Sequence, residues 1–233
     1  KYFLDNFIMN TKIYDCITFY KANLLFKTRF NILKDYVDFF VVCEANKDHV
    51  GNPKEFNFDK EFLKRHEDRI IYVQVTDLPK IKIKGKKDYG LLKIQMEKLF
   101  KGIQSANNDD LIIFSDEDEI PNPKIICNFQ KEKFKFGIFL QNMYYFKLNI
   151  QNITEGFGNW PGSKICRKRY LNSFFKLRIL KIKHMNYPFW RTLERFPDLS
   201  GLFVEQAMKE AVGKSLYEGG PIGESRFFYS TWI

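Results

Sequence analysis

Asp116-Glu117-Asp118-Glu119 sets four carboxylates side by side in a chain whose formal net charge is +10. Neighbouring carboxylates ~4 Å apart repel by about 1 kcal/mol in water and by more when desolvated, so the run calls for a compensating partner. A bound divalent cation is one such partner. In an extended segment residues i and i+2 point the same way, which lets Asp116 and Asp118 face one ion while Glu117 and Glu119 face elsewhere. Hard oxygen ligands suit manganese or magnesium, ions that keep positions open for phosphate oxygens and can neutralise charge on a departing diphosphate. The same residues also read as a solvated acidic turn capping a helix that begins near Pro121. Spacing alone leaves both readings open.

The elements that must position this cluster are legible in the hydrophobic pattern. Ile13 to Phe19 reads as a first strand and Leu24 to Tyr36 as a helix, with Leu25, Phe26, Phe30 and Leu33 near helical spacing. Phe39 to Cys43 is a short continuous apolar run ending at Glu44, the mark of a strand buried on both faces. A short helix over Asp59 to Glu67 leads into the strand Ile70 to Val75, which stops before Asp77. After a basic loop at Lys80 to Lys87 come a helix over Gly90 to Gln104 and a fourth apolar run, Leu111 to Phe114, that delivers the acidic cluster. This alternation predicts an α/β fold with a Rossmann-like, mostly parallel sheet covered by helices and polar residues at the carboxyl ends of the strands, where such sheets bind ligands. Beyond about residue 135 the pattern loosens into an aromatic strand at Phe136 to Leu148, a turn-rich Gly156 to Gly162 and a helix at Leu202 to Val212.

A length of 233 residues suits one large domain. We divide it into residues 1–8, a leader or expression remnant ahead of Met9, and a single domain over 9–233, with a ligand-binding part over 12–135 and an irregular part over 136–233. The 45% hydrophobic and 17% aromatic content excludes a disordered chain. Apolar runs such as Phe39 to Cys43 fall far short of the roughly 20 residues a membrane helix needs. With no signal peptide apparent either, the chain reads as cytoplasmic. Cys16, Cys43, Cys127 and Cys166 have no CxxC or zinc spacing and read as reduced thiols. The basic charge could meet anionic ligands or anionic surfaces, but an AT-rich coding sequence yields the same wealth of Lys, and no nucleic-acid-binding motif accompanies it.

Several motifs in order resemble glycosyltransferase family 17: Phe40-Val41-Val42-Cys43-Glu44-Ala45-Asn46, Asp48-His49-Val50-Gly51, Ile71-Tyr72-Val73 leading to Asp77-Leu78-Pro79, and Asp109 through Pro121. Asn159 to Lys164 and Tyr187 to Arg191 are similar to its bacterial members, so the resemblance runs over about residues 12–191. It implies a GT-A-like fold and an inverting transfer of N-acetylglucosamine or a related hexose from a nucleotide-sugar donor, UDP-linked, to a glycan or polysaccharide hydroxyl. It further implies a Mn2+ or Mg2+ site at Asp116 and Asp118, with Glu44, Asp77 and Arg29 near the nucleoside. A bacterial or viral type of member fits, because animal relatives carry an anchoring segment.

Further candidates follow from side-chain chemistry. His184 could complete the metal site. The base that takes the acceptor proton is sought among Glu119, Glu194, Asp198 and Glu205. Trp160 and Trp190 could stack on sugar rings, with Arg191 beside them, or fill the core. The chain departs from the family at Lys21, Ala22 and Lys27, where acids are expected, and at Gly90, Lys93, Met96 and Glu97. A Gly-Gly-Trp-His-Phe stretch expected after Trp190 is replaced by Ser200-Gly201-Leu202-Phe203. These departures keep a second reading open, a relative that binds nucleotide sugar or glycan without transferring it. A nucleic-acid-binding module and a nucleotidyltransferase are the more distant alternatives.

Overall fold

A computed structural model of the chain describes residues 11–79, 90–131, 134–145, 159–180 and 226–228. Four strands form its parallel half: β1 (Ile13–Phe19), β2 (Phe39–Ala45), β3 (Ile70–Val75) and β4 (Leu111–Asp116). They lie in the order β3-β2-β1-β4, so the chain winds outward from β1 to β3, then returns to the other side of β1. The order continues through β6 (Asn159–Arg167), β5 (Phe136–Tyr145) and β7 (Arg226–Phe228), all antiparallel to their neighbours. The result is a mixed, doubly wound sheet whose topological switch point lies between β1 and β4.

The continuous apolar runs are explained by burial on both faces. On one face Ile13, Ile17, Phe40, Val42, Leu111 and Ile113 pack with Phe26, Phe30 and Leu33 of α1 (Asn23–Leu33), Phe62 of α2 (Lys60–Arg65) and Ile126 and Phe129 of α4 (Pro123–Lys131). On the other, Tyr14, Cys16, Val41, Cys43, Ile112 and Phe114 meet Leu91 and Met96 of α3 (Gly90–Lys98) and Phe174 and Leu177 of α5 (Phe174–Arg178). All four cysteines are free thiols. Among the described residues no helix is long and apolar enough to cross a membrane.

Several boundaries differ from the sequence expectation for physical reasons. The helix expected over Gly90 to Gln104 changes at Leu99 into a 3-10 helix, Leu99–Ile103, whose Gly102 lies directly against Val41 of β2. The helix after the acidic cluster begins at Pro123, with the Asn122 side chain accepting the Lys124 N–H at 2.9 Å. Asn122 therefore supplies the cap, and the carboxylates of the cluster do not. Residues 159–162, expected in a turn, belong to β6, where Pro161 pairs with Leu140 beside a register shift that tolerates its missing N–H. Lys164, expected in a solvated basic run, is buried within the same strand, its ammonium donating to the Pro161 and Gly162 carbonyls. The Lys80 to Lys87 loop and the helix expected at Leu202 to Val212 lie outside the described residues.

Gly102 is a sharp test of the sheet-to-helix spacing. A Cβ there would lie 2.2 Å from Val41 Cγ1 and 3.2 Å from Val73 Cγ2. We expect Gly102→Ala to lower the unfolding free energy by about 1–3 kcal/mol. Adding Val41→Ala should return part of that loss in urea denaturation, because the clashing methyl is gone.

Candidate functional site

Parallel pairing brings the strand ends into line across β1: Thr18 is level with Asp116 of β4, and Phe19 with Glu44 of β2. The acidic residues thus emerge at the carboxyl edge of the sheet, at the switch point. The turn Asp116 to Glu119 closes on itself through the Glu119 N–H to the Asp116 carbonyl, 3.1 Å, and through the Asp116 N–H to Glu119 Oε2, also 3.1 Å. Glu119 Oε1 accepts from Trp160 Nε1 at 2.6 Å. Its carbonyl accepts from Arg29 Nη1 at 2.7 Å and from the Ser163 hydroxyl at 3.1 Å. Gln141 Nε2 holds the Ile120 carbonyl at 3.0 Å while Gln141 Oε1 accepts the Ser163 N–H at the same distance. Glu117 reaches the other way and accepts the Tyr20 N–H at 3.0 Å, tying the turn to the β1–α1 loop.

Arg29 is central to this brace. It is fully buried, and its Nε and Nη2 each lie 2.6 Å from one oxygen of Asp15 in the middle of β1. Each of its three guanidinium nitrogens is engaged, Nη1 on the Glu119 carbonyl, so the nucleoside contact expected of it gives way to a positioning role beneath the acidic turn. Glu44 is likewise buried and saturated: it accepts from Lys54 Nζ (2.5 Å), the Asn57 N–H (2.8 Å), the Phe58 N–H (3.1 Å) and Tyr72 Oη (2.6 Å). It anchors the returning end of the β2–α2 loop and has no capacity left for a ligand. Glu119, considered above as a base, is fully buried with both oxygens engaged and is a positioning residue as well. Trp160 uses its indole N–H on Glu119. Asp77 stands exposed at the end of β3, 2.5 Å from Lys98 Nζ. His184, Trp190, Arg191, Glu194, Asp198 and Glu205 lie outside the described residues.

Asp116 and Asp118 remain. Arg178, at the end of α5, sets its guanidinium against Asp116, with Nε 3.2 Å from Oδ1 and Nη2 on Oδ2, and lies 4.0 Å from Glu119 Oε1. Its place is determined from α3: Glu97 accepts from the Ser173 hydroxyl and from the Phe174 and Phe175 N–H groups at the start of α5, while Phe174 and Leu177 bury beneath. Burial, then the carboxylates of Glu119, Asp116 and Glu117, push the Asp118 carboxyl well above the usual range. Burial pushes Glu117 up to about 7, and burial lowers Lys164 to about 8. Two polar groups at this edge were not singled out as site residues: Arg178, which meets Asp116 from 62 residues away without any local signal, and Asn46, the last residue of the Phe40–Asn46 motif, whose buried Oδ1 has no hydrogen-bond partner among the described residues. The Asp48-His49-Val50-Gly51 turn, with Gly51 at φ 93°, puts His49 within electrostatic reach of Asp116.

Among the described residues no group of three or more His, Cys, Asp or Glu side chains could hold a metal by itself. Two carboxylates completed by phosphate oxygens are nevertheless a fitting donor set for Mg2+ or Mn2+, which rarely use all-protein cages. A cation beside Asp118 would also offset the neighbouring negative charges that help raise its carboxyl.

A doubly wound sheet with a braced acidic turn at its switch point defines an α/β domain of the Rossmann-like kind, whose carboxyl strand edge is the ligand-binding edge of such sheets. The chain belongs to glycosyltransferase family 17, whose profile matches residues 5–152, taking in residues 5–8 that were set aside above. Solved structures of glucosyl-3-phosphoglycerate synthase from Mycobacterium tuberculosis also match. The complex with Mn2+, UDP and glucosyl-3-phosphoglycerate does so at 11% identity and TM-score 0.36, covering 71% of this chain and 60% of that one. The complex with Mn2+, UDP-glucose and glycerol 3-phosphate gives 10% identity and TM-score 0.36 over the same shares. The matched region thus spans 60% of the length of those synthases, and overlap at this level does not extend to their ligands. No curated protein matches the chain.

The brace has a measurable cost of removal. Arg29→Met leaves Asp15 charged and buried without a partner, and should lower stability by about 3–5 kcal/mol. Asp15→Leu together with Arg29→Met should recover much of that loss in chemical denaturation, yet leave the acidic turn without the bond from Arg29 to the Glu119 carbonyl.

Proposed function

We propose that the chain transfers a hexose, N-acetylglucosamine or a close relative, from a UDP-linked donor to a glycan hydroxyl with inversion at the anomeric carbon. The observation that carries this reading is the acidic turn at the switch point: its two glutamates are spent on positioning, while Asp116 meets Arg178 and Asp118 follows two residues on, just past the end of β4. Membership of family 17 supplies the class of reaction. A divalent cation held by Asp116 and Asp118 would supply countercharge to the diphosphate. Asn46 Oδ1, a buried acceptor at the end of β2, suits a nucleoside N–H or O–H donor. In the transfer the acceptor oxygen bonds to the anomeric carbon as the bond to the diphosphate breaks. A base takes the hydroxyl proton, and the nucleoside diphosphate leaves. With Glu119 committed elsewhere, Glu205 remains the notable candidate for that base.

One feature favours a second reading. Arg178 already compensates Asp116, so a relative that had lost metal-assisted turnover could keep this turn without repulsion. Such a protein would bind donor or glycan and release no product.

Calorimetric titration of UDP and UDP-N-acetylglucosamine, with and without Mn2+, tests the proposal. Wild type should bind in a Mn2+-dependent manner, and Asp116→Ala/Asp118→Ala should weaken binding by roughly a hundredfold or more, the equivalent of ~3 kcal/mol. Release of UDP on adding glycan acceptors then separates transfer from binding alone. Binding of no nucleotide sugar by a folded wild-type chain would overturn both readings.

A further inference from the structure

Arg178 does more than fill a gap among carboxylates. Its guanidinium spends Nε and Nη2 on Asp116, while Nη1 has no hydrogen bond among the described residues. The side chain keeps 25% of its surface exposed, so it borders solvent at the same edge of the sheet as Asp116 and Asp118. It is held there by an arrangement that does not involve the acidic turn: Glu97 of α3 grips the first turn of α5, and Phe174 packs edge-to-face with Phe100 and tilted against Phe114, at centroid distances of 4.9 and 5.9 Å. A guanidinium also has the planar fork that matches phosphate as well as carboxylate.

Charge balance says when it would change partner. Against the four carboxyl groups of the turn the described residues set Arg178 and the buried Lys164, because Arg29 is neutralised by Asp15. A diphosphate entering alone would therefore meet an excess of negative charge. A divalent cation on Asp116 and Asp118 removes that excess and at the same time takes the oxygens that hold Arg178. Cation and guanidinium compete for one carboxylate, and the released guanidinium has an anion beside it.

We propose that Arg178 is a donor-binding residue that exchanges the Asp116 carboxylate for the donor's diphosphate when the cation is bound. The inference rests on the nucleotide-sugar reading above and goes beyond it by assigning the leaving-group contact to a residue outside the acidic motif. It implies opposite effects on two ligands. Removing the side chain frees Asp116 for the cation and deprives the diphosphate of a partner.

The experiment is calorimetry of Mn2+ alone and of UDP at saturating Mn2+, on the full chain as wild type, Arg178→Ala, Arg178→Lys and Lys176→Ala. Lys176 lies on the exposed side of α5 and controls for loss of one positive charge. Thermal melting checks that each variant is folded. For Arg178→Ala we expect Mn2+ to bind roughly tenfold tighter and UDP roughly tenfold to a hundredfold weaker, the worth of charge-assisted hydrogen bonds. Arg178→Lys should show the same tightening of Mn2+ with a smaller loss of UDP, and Lys176→Ala should change neither by more than about twofold. If Arg178→Ala moves both ligands in the same direction or neither, or if Lys176→Ala has equal effect, the exchange is wrong while the donor site stands. Should Arg178→Ala fail to fold, the Arg178→Lys and Lys176→Ala pair still decides, and Glu97→Gln, which loosens α5, should reproduce both shifts in part. A wild type that binds neither ligand overturns the inference together with the reading it rests on.

Discussion

The guanidinium of Arg29, buried without solvent contact between Asp15 and the Glu119 carbonyl, is the interaction on which the rest of the site depends. A charge this deep is tolerable only with complete compensation, since the desolvation of two ions consumes most of what their attraction returns. The pair with Asp15 supplies that compensation, and the remaining donor is spent outside the pair. It takes the carbonyl of Glu119, and the Ser163 hydroxyl takes the same oxygen. A turn carrying four carboxyl groups is thereby fastened through its backbone to β1 beneath it and to β6 beside it. The carboxylates do not choose the turn's shape; the frame beneath them does.

That frame follows from the winding of the sheet. Because β1 pairs in parallel with both β2 and β4, the chain leaves neighbouring strands in opposite directions at the switch point, and a crevice opens between the β1–α1 loop and the acidic turn. The Glu117 bond to the Tyr20 N–H spans it. Gly162 belongs to the same construction: a Cβ there would lie 2.0 Å from Gln141 Oε1 and 2.8 Å from Trp160 Cδ1, so only glycine lets the Gln141, Trp160 and Glu119 side chains assemble. The site is shaped as much by what is missing at residue 162 as by what is present at residue 119.

Much of this was legible before any coordinates. β1 and β3 have the expected bounds, and β2 and β4 begin where expected, because strands buried on two faces must be apolar at every position and end abruptly in polar residues. The mostly parallel sheet covered by helices followed from the alternation of such runs with helices. The chemistry of particular side chains was less accessible. Nothing in Arg29 or Glu44 distinguishes a buried, saturated charge from one facing a ligand; only the partners decide, and Asp15 and Tyr72 are 14 and 28 residues away. Arg178 lay in a basic stretch with no local mark, since its partner is brought to it by the sheet. Pro161 and Gly162 carried the composition of a turn and form a strand because pairing with β5 overrides local propensity.

The division of labour within the acidic turn follows from side-chain length. Glutamate reaches one carbon farther than aspartate, and Glu117 and Glu119 use that reach to accept backbone N–H groups at Tyr20 and Asp116. Once bonded in this way their charges are spent on structure. The aspartates are too short to compete for those donors and keep their carboxylates for what approaches the sheet edge. One of them has Arg178, and the other is held toward its neutral form by burial and by its neighbours. An arrangement with one aspartate paired and the other desolvated is poised rather than satisfied: under the proposed exchange a cation would gain two ligands there and displace one guanidinium, and the brace that forces four carboxyl groups together would favour its entry.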